Sequence, residues 1–401
     1  SNTDVASSMF PFDNPEILDL KPRSDIEGIN QDTGSLIAID KFDRNKTLNQ
    51  NEVIIGTSGV GKTTYMIQKI LRYAVQGYKI YIIDPENEYS KIVEKLGGAV
   101  LHLSSNSSHK INPLQIFSEE LISEDEKADS MYKLVNEKIQ RLKGFLETLK
   151  PDINQVEKAI MDDIFQQAYK TSGILQYRHI DEIKAEQWPT LKNVYDELEK
   201  LKSSNAERFE RVKDLYYILG SYVNGSNTLF NGITSVDLKS NIVSFDLKPL
   251  QSEHEVQAGA YLVTFQFLWD EITKERTQRK KLFVDEFHFL TLHKQSATFF
   301  HQAYKRFRKY NAGAIAGTQQ IQDVIEGHTD NGMNIGEAII GNSFTKVFFG
   351  LDGKGVDEVI AKLHMKFSDK ERKLLNHRRQ GQCLMIYGGQ RAFMNVELPE
   401  E

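Results

Sequence analysis

The chain has a single cysteine, Cys383, among 401 residues. No internal disulfide can form, and the usage fits a reducing cytosol. Proline is scarce, at nine residues. No apolar run approaches the roughly 18 residues that a membrane-spanning helix needs, and no secretory leader pattern is visible. Positive charge is not in excess: 50 basic residues face 56 acidic ones, a net charge of −6. That balance argues against a general nucleic-acid coat and still permits a local basic channel. No internal repeat and no sustained heptad is present. What remains is 40% hydrophobic and 26% charged residues, the composition of a globular protein with a substantial core. The chain opens on Ser1-Asn2 rather than Met, and it is expected to be a piece of something longer.

Residues 1–33 are polar and turn-rich ("DNP", "KPRSD", "NQDTG") and read as an irregular lead-in. Strand patterns follow at "SLIAIDKF", "NEVIIG", "YKIYIID" and "AVLHL", with helical patterns between them. After Ile111-Asn112-Pro113 the period changes to a helical one. Met131, Leu134, Leu142, Phe145 and Leu149 form one stripe, and Val156, Ile160, Ile164 and Ala168 a second. A third starts at Pro189-Thr190, and Phe209, Val212, Tyr216 and Leu219 make a fourth. Strands return at "NIVSFDL", "KLFVDEF", "AGAIAGT", "TKVFFGL" and "GQCLMIY". "RAFMNVEL" closes a hairpin through Gly388-Gly389. Alternating strands and helices predict an α/β fold with a mostly parallel sheet covered on both faces. The expected organisation is one NTPase domain, in parts 34–114 and 236–401, interrupted by an all-helical insertion at 115–235.

The stretch "GTSGVGKT" fits G-x-x-x-x-G-K-[ST], the P-loop pattern. A strand precedes it and an amphipathic helix follows. The glycines let backbone N–H groups converge on phosphates at the positive end of that helix. Gly56, Thr57, Ser58, Gly59, Val60, Gly61, Lys62, Thr63 and Thr64 are therefore the expected nucleotide-binding residues. Lys62 would reach the β- and γ-phosphates, and Thr63 would bind Mg²⁺. The apolar run Leu282–Val284 ends on Asp285-Glu286. Asp285 is expected in the Mg²⁺ shell, and Glu286 is expected to orient or deprotonate the attacking water. His288 is read as a packed or capping residue. "AGAIAGTQQ" ends on polar amides, of which Gln319 is the expected γ-phosphate sensor; a plain strand-to-helix turn is the lesser alternative. Two cationic clusters, "YKRFRKY" and "NHRRQG", could each supply an arginine finger or be solvated surface.

These residues together resemble the C-terminal ATPase domain of the TraC/VirB-four family, within the HerA–FtsK class of RecA-like motors. The likeness covers nearly the whole chain. It rests on Asp84, Glu88 and Tyr89, then Gly97-Gly98, then Ile111-Asn112-Pro113, and on "FVDEF" and "RKYNAGAIAGTQQ". The resemblance implies a RecA-like fold and a hexameric ring that hydrolyses ATP with Mg²⁺ to power type IV secretion and conjugation. It makes Arg308 the leading finger, ahead of Arg306, Lys309, Arg378 and Arg379. It places Asp84 and Glu88 near the nucleotide, where a helix N-cap and a first-turn carboxylate would account for them equally well. It implies partners in the secretion core complex and coupling ATPase, a DNA or protein substrate, and a cytoplasmic location peripheral to the bacterial inner membrane. A whole family member carries a further N-terminal domain, and a coupling protein of the same class an N-terminal transmembrane pair; the chain is expected to start beyond both. Two other readings stand beside this one: a DNA-translocating motor, which would use the same types of site residue, and a nucleotide-gated assembly scaffold, against which the intact Asp285-Glu286 pair argues. No base-reading N-K-x-D is suitably placed, so ATP follows from the family.

Overall fold

The strand that feeds the glycine loop lies in the interior of a large sheet. A computed structural model of the chain describes residues 16–121, 130–236, 238–291, 293–319, 321–325, 329–330 and 333–396. In chain order the strands of the main sheet are β1 (Asp25–Asn30), β2 (Leu36–Ile39), β3 (Glu52–Ile55), β4 (Lys79–Asp84), β5 (Ala99–His102) and β6 (Ile242–Asp246). They continue with β7 (Lys280–Val284), β8 (Ala312–Thr318), β9 (Thr345–Phe349), β10 (Gln382–Tyr387) and β11 (Gln390–Asn395). They line up as β2-β1-β11-β10-β9-β3-β8-β7-β4-β6-β5. From β9 to β5 every neighbouring pair is parallel. From β9 back to β2 every pair is antiparallel.

The parallel strands read as continuous apolar runs because both faces are covered. Successive residues point to opposite faces. Ile54, Ile80 and Ile82 pack with Tyr65, Met66 and Ile70 of the helix Lys62–Val75. Val53, Ile55, Tyr81 and Ile83 pack into the core on the other side, which also takes in Leu134, Leu142 and Phe145 of the helix Met131–Leu149. The described residues between 115 and 235 form helices, 3₁₀ turns and irregular connections: Met131–Leu149, Gln155–Thr171, Leu191–Ser204, Ala206–Glu210 and Lys213–Val223 are the α-helices. Among the described residues no helix is long and apolar enough to cross a membrane.

Two expectations need correction. The lead-in is not irregular throughout: Asp25–Asn30 is a strand, and Ile17 and Asp19 bond to Ala38 of β2. It was hidden because its buried side chains, those of Asp25, Glu27 and Asn30, are all polar. Residues 1–15 lie outside the described residues, as do Gln320 and the end of the closing strand pattern, including Leu398. The fourth helical stripe is also two helices, not one. The Val212 N–H bonds to the Phe209 carbonyl at 2.9 Å, an i→i−3 closure that ends the first helix.

Candidate nucleotide site

β3 ends at Ile55, and the chain then turns sharply through Gly56. A Cβ on Gly56 would lie 2.5 Å from Cβ of Phe349 on the neighbouring β9, so only glycine fits. The loop is pinned from three sides. The Gly56 N–H donates to the Thr318 carbonyl at 3.2 Å, the Thr57 N–H to Gly350 at 3.0 Å, and the Gly381 N–H to Val60 at 3.0 Å. Gly61 caps the helix Lys62–Val75 at φ 101°, a left-handed value that L side chains rarely adopt. The first N–H groups of that helix therefore open onto a cavity of about 180 Å³. Thr57, Ser58, Gly59, Gly61, Lys62, Thr63 and Thr64 line it, together with Glu88, Gln319 and Gln380. A larger cavity of about 480 Å³ lies between the helices Met131–Leu149 and Lys294–Arg306 and contains none of the expected site residues.

Lys62 is 3% exposed, and its ammonium donates to Asp285 Oδ1 at 2.9 Å and Glu286 Oε1 at 2.6 Å. Burial alone would lower its pKa, but the two carboxylates outweigh burial and raise it. The parallel register places these groups together: β7 carries Asp285-Glu286 to the same end of the sheet as the glycine loop. Asp285 Oδ1 also accepts the Glu286 N–H at 3.0 Å, and Oδ2 accepts the hydroxyl of buried Tyr89 at 2.9 Å.

Glu286 stands at φ 44°, a sparsely populated region for a non-glycine residue. Its Oε2 accepts the Gln319 N–H at 3.1 Å and lies 3.2 Å from Nδ1 of His288. Burial favours the neutral acid, yet His288, Lys62 and the Gln319 N–H hold its pKa down at about 2. His288, read from sequence as packing, is indeed buried, but it packs against this carboxylate.

Asp84 takes the role of a local cap. Its two oxygens accept the N–H groups of Glu88 at 3.0 Å and Tyr89 at 2.9 Å. Burial, opposed by those bonds and reinforced by nearby Asp285 and Asp246, raises its pKa to about 6. Glu88 instead reaches the site: its Oε2 accepts the Thr63 hydroxyl at 2.7 Å.

The basic residues divide between the two ends of the sheet. Arg308 and Lys309 lie in the 3₁₀ turn Phe307–Tyr310 that enters β8, whereas Gln319 follows its exit. At about 3.3 Å per residue the strand separates those ends by about 20 Å, so Arg308 does not enter the site of its own chain. Arg306 donates to the Leu121 carbonyl at 3.1 Å. Arg378 and Arg379 are exposed and lie at the phosphate-loop end, just before Gln380 and Gly381. A Cβ on Gly350 would meet Arg378 Cα at 2.3 Å, so that segment lies directly on the turn after β9. Sequence reasoning assigned no role to Tyr89 or Gln380. Spacing gave no signal for Gln380; Tyr89 stood in the recognised motif but carried no chemical reading.

A model of the TraG P-loop domain matches residues 29–380. The chain belongs to this family. Among solved structures it is similar to VirB4 of Thermoanaerobacter pseudethanolicus, with TM-score 0.82, 27% identity, and coverage of 94% of this chain and 97% of that one. It shares its fold with the bacterial conjugative coupling protein TrwB, with TM-score 0.62, 12% identity, and coverage of 96% and 90%. A TrwB structure in complex with ADP and Mg²⁺ aligns with TM-score 0.56 at 12% identity, covering 87% and 86%. An uncharacterized protein of Bacillus anthracis is 21% identical over 436 residues; the match takes in 98% of this chain and 66% of that protein. The α/β P-loop fold and the likeness to the VirB-four ATPases read from the motifs therefore stand.

Proposed function

We propose that the chain is the motor domain of a type IV secretion or conjugation ATPase. One observation carries the proposal. Lys62 is buried between the two carboxylates at the end of β7, directly beside a cavity floored by the glycine loop. A lysine so placed can exchange carboxylate partners for phosphate oxygens. Its release would leave Glu286 ionised, next to Gln319, with an oxygen available to orient or accept a proton from water. The residues present also fit a hard divalent cation. The Thr63 hydroxyl and Asp285 carboxylate are oxygen ligands of the kind Mg²⁺ takes, with nucleotide phosphates and waters completing its shell. That fits the lack, among the described residues, of any three-residue His, Cys, Asp or Glu cluster able to hold a metal by itself. When bound, the cation would neutralise charge on the phosphates.

Hydrolysis of ATP would then drive pilus assembly or substrate transfer. The domain division at 34–114, 115–235 and 236–401 belongs to the same reading: the helical segment would contact a partner or substrate. Since Arg308 is remote from its own site, it would act on a neighbouring subunit of a ring, a hexamer in the reading adopted here. The assembly would work in the bacterial cytoplasm, held to the inner membrane through secretion core-complex and coupling-ATPase proteins. The test is ATP turnover against protein concentration, with and without single- and double-stranded DNA, for wild type, Lys62→Ala and Arg308→Ala. Cooperative turnover that ignores DNA and is lost in both variants supports the proposal. Many-fold stimulation by DNA would transfer the same chemistry to a DNA motor. Binding without turnover at any concentration would favour a scaffold gated by nucleotide.

A further inference from the structure

Resting on the reading of this site as a Mg²⁺–nucleotide centre, we infer that the turn Asp84–Tyr89 is the outer shell of that centre: Glu88 orients the Thr63 hydroxyl and Tyr89 orients Asp285. A threonine hydroxyl has one proton to donate and two lone pairs to offer. Here the proton goes to Glu88 Oε2 at 2.7 Å. An ionised carboxylate only accepts hydrogen bonds, so this partner fixes the hydroxyl with its lone pairs directed elsewhere. That is the orientation a cation ligand requires. Asp285 is treated in the same way. The fully buried Tyr89 hydroxyl donates to Oδ2 at 2.9 Å. Neighbouring residues of one turn thus hold the two expected cation ligands, which come from different elements.

The turn itself is built for this. Asp84 ends β4, beside β7, and both its oxygens are occupied by the N–H groups of Glu88 and Tyr89. Asn87 takes a left-handed φ of 57°, which reverses the chain just before Glu88. Glu88 is solvent-exposed and is not needed to fill the core. Its bond to Thr63 therefore has no evident packing purpose. Outer-shell partners of metal ligands typically change metal affinity by about 10–100-fold when removed.

The experiment is the affinity of a fluorescent non-hydrolysable ATP analogue, measured in excess Mg²⁺ and again in EDTA. The ratio of the two is the gain due to the cation. Glu88→Ala is expected to cut that gain by about 10–100-fold, leaving the affinity in EDTA and the melting temperature without nucleotide unchanged. Glu88→Gln keeps an oxygen that accepts the hydroxyl proton and is expected to recover most of the gain. Tyr89→Phe is expected to reduce it by about tenfold. Should Glu88→Ala keep the wild-type ratio, or lose affinity equally in Mg²⁺ and EDTA, the inference is wrong while the nucleotide site stands. Should wild type bind the analogue with no gain from Mg²⁺, the reading of the site fails and takes the inference with it.

Discussion

Lys62 and Lys69 lie two turns apart on one face of one helix, and each is buried between two carboxylates. Lys62 faces Asp285 and Glu286. Lys69 faces Glu27 and Glu52, which it shares with Lys41. The surroundings differ. Around Lys69 the polar groups are closed in by further partners: Tyr65 donates to Glu27 and, at 3.3 Å, to Glu52, and Tyr73 donates to Asp25 at 3.1 Å. Burial would raise the Glu27 pKa, but Lys41 and Lys69 hold it below the ordinary carboxylate range. Around Lys62 there is a cavity, a loop that only glycine can form, and a glutamate in a strained backbone conformation. A buried ion pair is therefore not in itself a sign of function. The one beside open, donor-lined space can exchange partners; the one sealed by tyrosines ties the P-loop helix to β1 and β3.

Substitutions should separate the two clusters. The largest effect is expected from Glu286→Gln, with turnover reduced by about 10²–10⁴-fold, the range for a general base, while nucleotide binding persists; paired hydrolysis and binding assays check this. Next, Lys69→Met removes one partner from a sealed network. It should lower unfolding free energy by about 3–5 kcal/mol, read by urea denaturation, with nucleotide affinity of the folded protein unchanged. Lys62→Ala should weaken nucleotide binding by about 10–100-fold, the worth of a charged hydrogen bond, read by titration.

The smallest effect concerns pH. Lys281 adjoins the sealed cluster, and burial, with Lys41 beside it, lowers its pKa to about 7. The unfolded chain holds that proton up to about pH 10.5. Between those values the unfolded state binds more protons, so stability from this group rises with pH. Lys281→Met should flatten that rise, seen as a smaller difference between denaturation midpoints at pH 7 and pH 9.

The open cluster was legible in the sequence and the sealed one was not. Lys62 sits in a motif whose spacing is dictated by phosphate geometry, and Asp285-Glu286 ends an apolar run at a strand terminus. Lys69, Glu27, Lys41 and Glu52 share no spacing rule, since they meet only through tertiary packing. Polar residues in the interior also disguised β1, because hydrophobic alternation is the signal by which a half-buried strand is read. The parallel strands were legible for the opposite reason, being apolar on both faces. Asp84 and Glu88 could each be explained from sequence as caps. Only the fold shows that Asp84 is one and that Glu88 reaches Thr63 instead.

The most direct measurement is thermal melting of wild type, Lys62→Ala and Lys69→Met, each with and without a non-hydrolysable ATP analogue and Mg²⁺. At a ligand concentration about a hundred times Kd, binding adds about 2.7 kcal/mol to the folded state. Wild type and Lys69→Met are expected to show that gain, the latter from a lower starting temperature, and Lys62→Ala, with its weaker binding, to show about half of it or less. An undiminished gain in Lys62→Ala, or its loss in Lys69→Met alone, would contradict the assignment of the open cluster as the nucleotide site.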